Sequence, residues 1–308
     1  MMNKENNILN DIASKHLGKS SDGSIISPYI TPEFIDKSLL VAVPRYLNRV
    51  NYNIIENNLP FLGYDSWNCY EFSTLTNNGF PVCGILHIVY EANSTNIVES
   101  KSLKLYLNSF NMVKMGDTIE EVITNVVSII QKDLTTVITS EVDVSFHNNY
   151  DNFNPDTCHD YFETILPNKD TKFEIFNESP ELLEFTDEIS RIFYHTNILR
   201  SNCRVTNQPD WGDIFLYYSG NKYISPDSFL KYIVSMRKEN HFHEEICELI
   251  YKRLFDIIQP KELLVACYYT RRGGIDINPI RASNNNLIYK MFPNLSNSKV
   301  LSDKTLRQ

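Results

Sequence analysis

The sequence predicts an α+β protein made of two similar units in tandem, each running strand, strand, helix, helix, strand. Three observations carry that reading. Stretches of period two and stretches with three-and-four spacing follow one another in the same order in both halves. The first helical stripe recurs at a constant shift: Leu103, Tyr106, Leu107 and Phe110 reappear as Phe229, Tyr232, Ile233 and Met236, and Ser102 and Ser109 as Ser228 and Ser235, which reads as an internal duplication. The length, 308 residues, suits two domains of ~100–200 residues each. The units are placed at 1–150 and 151–308, with the boundary inside 150–182.

In the first unit, a strand from Tyr70, a turn at Asn77-Asn78-Gly79 and a strand Val82–Glu91 predict a hairpin. Ser100 is placed as the cap of the helix bearing Leu103 to Phe110. A second helix opens at Asp117, with Glu120 three residues on as in a capping box, and carries Ile119, Val122, Ile123, Val126, Val127, Ile130 and Leu134 on one stripe. Val137–Phe146 then alternates as a half-buried strand. In the second unit a hairpin is expected from Asp213 through Gly220-Asn221 to Ile224, then the helix of Phe229 to Met236. A long helix from His243 follows, with Ile246, Leu249, Ile250, Leu254, Ile257 and Ile258 inward, and then a strand Leu263–Thr270. Asn148–Pro180 is dense in Asn, Asp and Pro and reads as connection, with one strand-like piece at Lys172–Phe176.

Composition excludes several functions. Lys and Arg total 29 against 38 Asp and Glu, a net of -9, which does not suit unspecific binding of a polyanionic backbone, so direct nucleic-acid binding is not expected. The ten glycines form neither G-x-G-x-x-G nor G-x-x-x-x-G-K-[ST], so the two commonest phosphate loops are missing. Met1–Ser20 is polar, and no run approaches ~18 apolar residues, so a cytoplasmic protein without a membrane segment is expected. Six cysteines, at 69, 83, 158, 203, 247 and 267, show no C-x-x-C spacing and read as reduced thiols. Cys83, Cys247 and Cys267 are expected as small buried hydrophobes. His16, His87, His147, His159, His195 and His241 form no close ligand pair, and no metal is expected.

The loop Ser201–Gly212 gathers a thiol, a carboxylate, two amides and a Trp between regular elements. Cys203 there is either a nucleophile, with Arg204 favouring its ionised form if that side chain turns inward and Asp210 moving protons, or a buried cysteine beside a turn capped by Asp210. The residues alone leave both open.

Four blocks resolve the choice by resemblance. Ser201-Asn202-Cys203 through Gln208-Pro209-Asp210-Trp211-Gly212 resembles the catalytic segment of the NADPH-dependent 7-cyano-7-deazaguanine reductases, the nitrile reductases of queuosine biosynthesis, a tRNA-modification pathway. Glu99-Ser100-Lys101-Ser102-Leu103-Lys104-Leu105-Tyr106 is similar to that family's cofactor motif, Phe242-His243-Glu244-Glu245 to its substrate block, and Tyr269 through Arg272-Gly273-Gly274 to Pro279 to its C-terminal signature. Val43-Pro44-Arg45 and Leu59-Pro60-Phe61 also fit, and the match runs from about residue 17 to 283. Arg204 and Ile280 depart from the pattern, and neither removes a catalytic group.

The resemblance is to the long branch of the family, and implies two tandem tunnelling-fold (T-fold) modules, each ββααβ(β) with an antiparallel sheet and helices on one face. It implies Cys203 as nucleophile and Asp210 as general acid. Val98, Glu99, Ser100, His243 and Glu244 are implied as substrate-binding residues, and Ser100, Lys101, Arg272 and Gly273 as holding NADPH without a Rossmann fold. The implied substrate is a small deazapurine and the implied assembly a homodimer. With the cofactor motif in one half and Cys203 in the other, the site must be assembled between modules or between chains. Competing readings are a zinc-dependent cyclohydrolase, which needs a Cys and His ligand set that the spacings do not provide, a nitrilase using Cys203 without NADPH, and a silent binding module in which Cys203 is structural.

Overall fold

The computed structural model describes residues 30, 32–148, 158–301 and 304–308; the polar start, His16 and the side chains of Cys158 and His159 lie outside the described residues. The strands are β1 (Ala42–Pro44), β2 (Leu62–Leu75), β3 (Pro81–Glu91), β4 (Asn96–Val98), β5 (Val142–His147), β6 (Glu163–Thr164), β7 (Phe185–Thr186), β8 (Ser190–Cys203), β9 (Pro209–Gly220), β10 (Tyr223–Ile224), β11 (Asn240–His241), β12 (Glu262–Tyr269) and β13 (Ile275–Ala282). The α-helices are α1 (Tyr46–Arg49), α2 (Ser100–Asn108), α3 (Ile119–Ile138), α4 (Pro226–Ser235), α5 (His243–Ile258) and α6 (Asn285–Met291).

The protein is a mixed α+β fold around one large sheet, ordered β11-β8-β9-β12-β13-β2-β3-β5, with β6 also beside β8. Pairing is antiparallel except for β11 and β6, which run parallel to β8. The central seam is β13 against β2, with Ile275 opposite Cys69 and Ala282 opposite Leu62, so both halves of the chain share a single sheet.

Strand alternation assigns the layers. Trp67, Leu86 and Ile88 of β2 and β3 bury against Leu103 and Tyr106 of α2 and Val122, Val126 and Ile130 of α3. Ile214, Leu216 and Val265 bury against Phe229 and Ile233 of α4 and Leu249 of α5. Their strand neighbours Phe215, Leu264 and Ala266 point the other way, into a third core under Leu287, Ile288 and Met291 of α6. The helices therefore do not all keep to one face: α6 covers the side opposite α4 and α5.

Several boundaries differ from expectation. Glu99, not Ser100, caps α2, its carboxylate accepting the Lys101 and Ser102 amides. Thr118, not Asp117, caps α3 by accepting the Glu121 amide, while the Glu121 carboxylate accepts the amide of Asp117, one residue before the cap, so the expected capping box is not closed. Val137 and Ile138 belong to α3, because Ile138 stays on the buried stripe; the helix stops where Thr139 turns left-handed at φ 58°. The second hairpin is formed differently as well. β9 pairs with the unforeseen strand β8 across residues 204–208, and β10 pairs with β7 rather than with β9. Residues 172–176 form no strand. Cys83 is exposed, whereas Cys247 and Cys267 are buried; all three are free thiols, as are Cys69 and Cys203.

Candidate active site

The hairpin between β8 and β9 presents the thiol and the carboxylate together. Asp210 lies opposite Ser201 in the ladder, and β11 adds His241 beside Cys203. The tip is held by the Cys203 amide on the Gln208 carbonyl (2.8 Å) and the Asn207 amide on the Cys203 carbonyl (3.0 Å). Asn207 takes the left-handed φ of 56° that this tight return needs and that Asn tolerates.

A narrow pocket of about 20 Å³ opens here. Its walls are Trp67, Val98 and Ser100 from the first half of the chain and Cys203, Asp210, His241, Phe242, His243, Glu244, Arg272 and Ile277 from the second. The site is thus assembled across the β13–β2 seam within one chain. Asp210 is 6% exposed, with Arg272 Nη1 at 2.8 Å and His243 Nε2 at 3.4 Å. The His243 ring is stacked on Tyr269, 3.8 Å between centroids and 8° between planes, which fixes its edge toward Asp210.

Burial pushes the Cys203 thiol up, but hydrogen bonds from the Thr206 hydroxyl and amide, the Arg272 guanidinium and the Val205 amide outweigh it, so the thiol lies below its ordinary value. Arg204 has no part in this. Its guanidinium turns to Glu245 (2.8 Å), Asn48 (3.0 Å) and His241 (3.1 Å), where carboxylate and amide acceptors satisfy it better than a thiol would. Arg272, from the turn after β12, supplies the positive charge instead.

Glu244, in the first turn of α5, is 2% exposed and its Oε1 has no hydrogen-bond partner; nor does His243 Nδ1. Both atoms keep hydrogen-bonding capacity that the protein itself does not use. Burial, and then the charge of Asp65, push the Glu244 carboxyl up to about 8, against the pull of its own backbone amide, Arg45 and Arg281. Behind it lies a closed ion cluster. Glu248 accepts from Arg49 (2.7 and 2.8 Å) and Arg281 (2.9 Å), and Asp65 pairs with Arg281 (2.8 Å) and with Arg45.

The residues expected at the cofactor also converge in part. Gly273 and Gly274, both left-handed (φ 62° and 77°), let the β12–β13 turn approach the first half of the chain. A Cβ on Gly273 would meet the Lys104 side chain at 3.2 Å, and one on Gly274 would meet Glu71 at 2.4 Å. Lys104 pairs with Glu71 (3.1 Å), Lys101 is exposed one residue into α2, and Ser100 lines the pocket. Glu99 is not in the pocket wall: its carboxylate is engaged on the start of α2. The sequence reading missed Trp67, His241 and Ile277 as pocket residues. Trp67 and Ile277 face each other across the β13–β2 ladder, and no short-range pattern reveals that pairing. Among the described residues there is no cluster of three or more His, Cys, Asp or Glu able to hold a metal ion, and no helix is long and apolar enough to cross a membrane.

Fold and pocket define an α+β protein that brings a cysteine and a carboxylate together on one pocket wall, and comparison with known proteins gives that class a name. Residues 32–146 match the family described as "Nitrile reductase, 7-cyano-7-deazaguanine-reductase N-term", and residues 209–287 match "QueF-like protein". The chain belongs to the NADPH-dependent 7-cyano-7-deazaguanine reductases, a family of oxidoreductases. It is 38% identical over 285 residues to the reductase of that name from Legionella pneumophila (strain Lens), covering 92% of this chain and 95% of the relative. It is 40% identical over 247 residues to the one from Buchnera aphidicola subsp. Schizaphis graminum, covering 80% and 91%. A solved archaeosine synthase QueF-Like structure in the apo form aligns with 32% of this chain and 94% of its own length, at a TM-score of 0.27 and 15% identity.

Proposed function

We propose that this protein reduces the nitrile of 7-cyano-7-deazaguanine to the primary amine 7-aminomethyl-7-deazaguanine, using NADPH, through a covalent intermediate on Cys203. The observation that carries the reading is the meeting of Cys203, Asp210, His243, Glu244 and Arg272 in one pocket of a chain from this family.

The carboxylate of Glu244, with its free oxygen, suits the adjacent ring N–H and amino donors of a deazaguanine, and His243 stands next to it on the same wall. Val98, Ser100 and Trp67 close the other side of the base, and Glu99 contributes by fixing the start of α2. The Cys203 thiolate attacks the nitrile carbon and forms the C–S bond of a thioimide as Asp210 delivers a proton to the nitrogen. Arg272 holds Asp210 in place and favours the thiolate before attack.

The Gly273–Gly274 cradle, Arg272, Ser100 and Lys101 fit a nicotinamide cofactor, whose phosphates need backbone approach and positive charge. When bound, NADPH supplies hydride. The thioimide carbon receives one hydride, Cys203 leaves as thiolate to give an imine, and the imine carbon receives a second. Two NADPH and two protons are therefore consumed for each amine formed. The proposal includes two tandem T-fold modules divided near residue 150, a homodimer, and a cytoplasmic enzyme that acts on the free base for later tRNA modification.

The test is NADPH absorbance on adding 7-cyano-7-deazaguanine, with oxidation of two cofactors per nitrile expected. Folded protein that leaves NADPH unchanged overturns the function. Nitrile alone should add its mass to the Cys203 peptide, and an adduct that survives in Cys203→Ala would move the nucleophile elsewhere.

A further inference from the structure

Residues 304–308 lie beyond both matched family segments and pack close to the catalytic hairpin. Asp210 and Asp213, three residues apart on β9, point to opposite faces of the sheet, Asp210 into the pocket and Asp213 away from it. On that far face Arg307 Nη2 reaches the Asp213 carboxylate (3.0 Å), the Gly212 carbonyl (2.8 Å) and the Asn197 carbonyl. Asn197 lies in the register break of β8 between Thr196 and Leu199, where its carbonyl is available to an outside donor. Gln308 Nε2 donates to the Tyr269 carbonyl (2.9 Å) and to Asn278 Oδ1 (2.6 Å), and Lys304 reaches Asp276 (3.4 Å).

These five residues thereby join β8, β9, β12 and β13 at the level of the pocket. Three of these strands carry or support a reacting group: β8 ends in Cys203, β9 bears Asp210, and β12 ends in Tyr269, on which His243 stacks. We propose that Arg307 and Gln308 are positioning residues, a strap behind the sheet that fixes the hairpin of Cys203 and Asp210 against His243 and Arg272. The inference rests on the assignment of Cys203 as nucleophile. The donors that hold the thiolate, on Thr206 and Val205, lie in the hairpin tip, so a loosened hairpin separates them from the sulfur.

The test uses the full chain with Arg307→Ala, Arg307→Lys and Gln308→Ala. Iodoacetamide labelling of the Cys203 peptide is followed by mass spectrometry across pH, alongside kcat, KM and thermal melting. In Arg307→Ala the labelling midpoint should move up toward that of an ordinary thiol. Its kcat should fall about 10-fold, with KM for the deazaguanine within a factor of two, because small misplacement of reacting groups is costly in rate. Arg307→Lys should recover part of both effects, and Gln308→Ala should show the same pattern more weakly. A folded Arg307→Ala with unchanged midpoint and kcat overturns the proposal, as do losses that merely follow the melting temperature across all three variants. The labelling midpoint needs no nitrile reduction, so the strap can be judged even if the proposed reaction fails.

Discussion

Glu244 and Glu248 stand one turn apart on α5, are both 2% exposed, and have opposite fates. Glu248 is held down to about 2: burial pushes it up, but Arg281, Arg49 and Arg45 outweigh burial. Glu244 rises to about 8 because burial and the charge of Asp65 dominate and no guanidinium touches it. Equal burial thus yields a permanent carboxylate in one place and a group that titrates near neutrality in the other. What separates them is whether the hydrogen-bonding capacity is used up inside the protein or left open to the pocket. The arginines around Glu248 come from α1, the residue before it and β13, which makes Glu248 a rivet between distant segments; Glu244 lines the pocket with one oxygen unpaired.

The contrast can be tested at both residues. The largest effect is expected from Glu248→Gln, which leaves Arg49 and Arg281 without their shared counter-charge; urea unfolding should show a loss of about 3–5 kcal/mol. Glu244→Gln should do the reverse to stability. A carboxyl raised in the folded state costs stability as pH rises from about 4.5 through about 8, so this variant should gain on the wild type over that window and keep its advantage above it. The same variant should bind 7-cyano-7-deazaguanine about 10- to 100-fold more weakly, since a charge-assisted pair of hydrogen bonds is lost; calorimetric titration measures it.

In the wild type, a base that needs the Glu244 carboxylate should bind about 10-fold more tightly for each pH unit up to about 8, and level off above. Affinity that is flat from pH 6 to 9 would show that Glu244 is not the acceptor. The smallest effect is that of Asp65→Asn. Removing the charge that pushes Glu244 up should move the midpoint of that pH dependence downward, while Glu248→Gln should not move it the same way.

Much of this was legible in the sequence because it is local. The stripes of α2, α3, α4 and α5 appear at their proper spacing, and the blocks around Cys203, His243 and Arg272 name most of the pocket wall. What escaped is non-local or polar. β8 alternates Ile192, Tyr194 and Thr196 with Arg191 and His195 and then breaks register, so its periodicity is too short to read as fourteen residues of strand. Arg204 is the adjacent cation, yet the turn after β8 carries it to Glu245, and the fold brings Arg272 to the thiol from sixty-odd positions away. The rivet around Glu248 joins residues 45, 49 and 281, a set with no sequence pattern of its own.

The seam of β13 on β2 also governs how the protein comes into being. Cys69 must wait for Ile275, and Leu62 for Ala282, so the two edges stay open until nearly the whole chain is available. Contacts of such sequence separation form late and slowly, and unpaired edges are open to association in the meantime. Because Trp67 and Val98 lie on one side of that closure and Cys203 and Asp210 on the other, the pocket should be the last part of the molecule to appear during folding. The thiol would then acquire its reactive setting only once the sheet is complete.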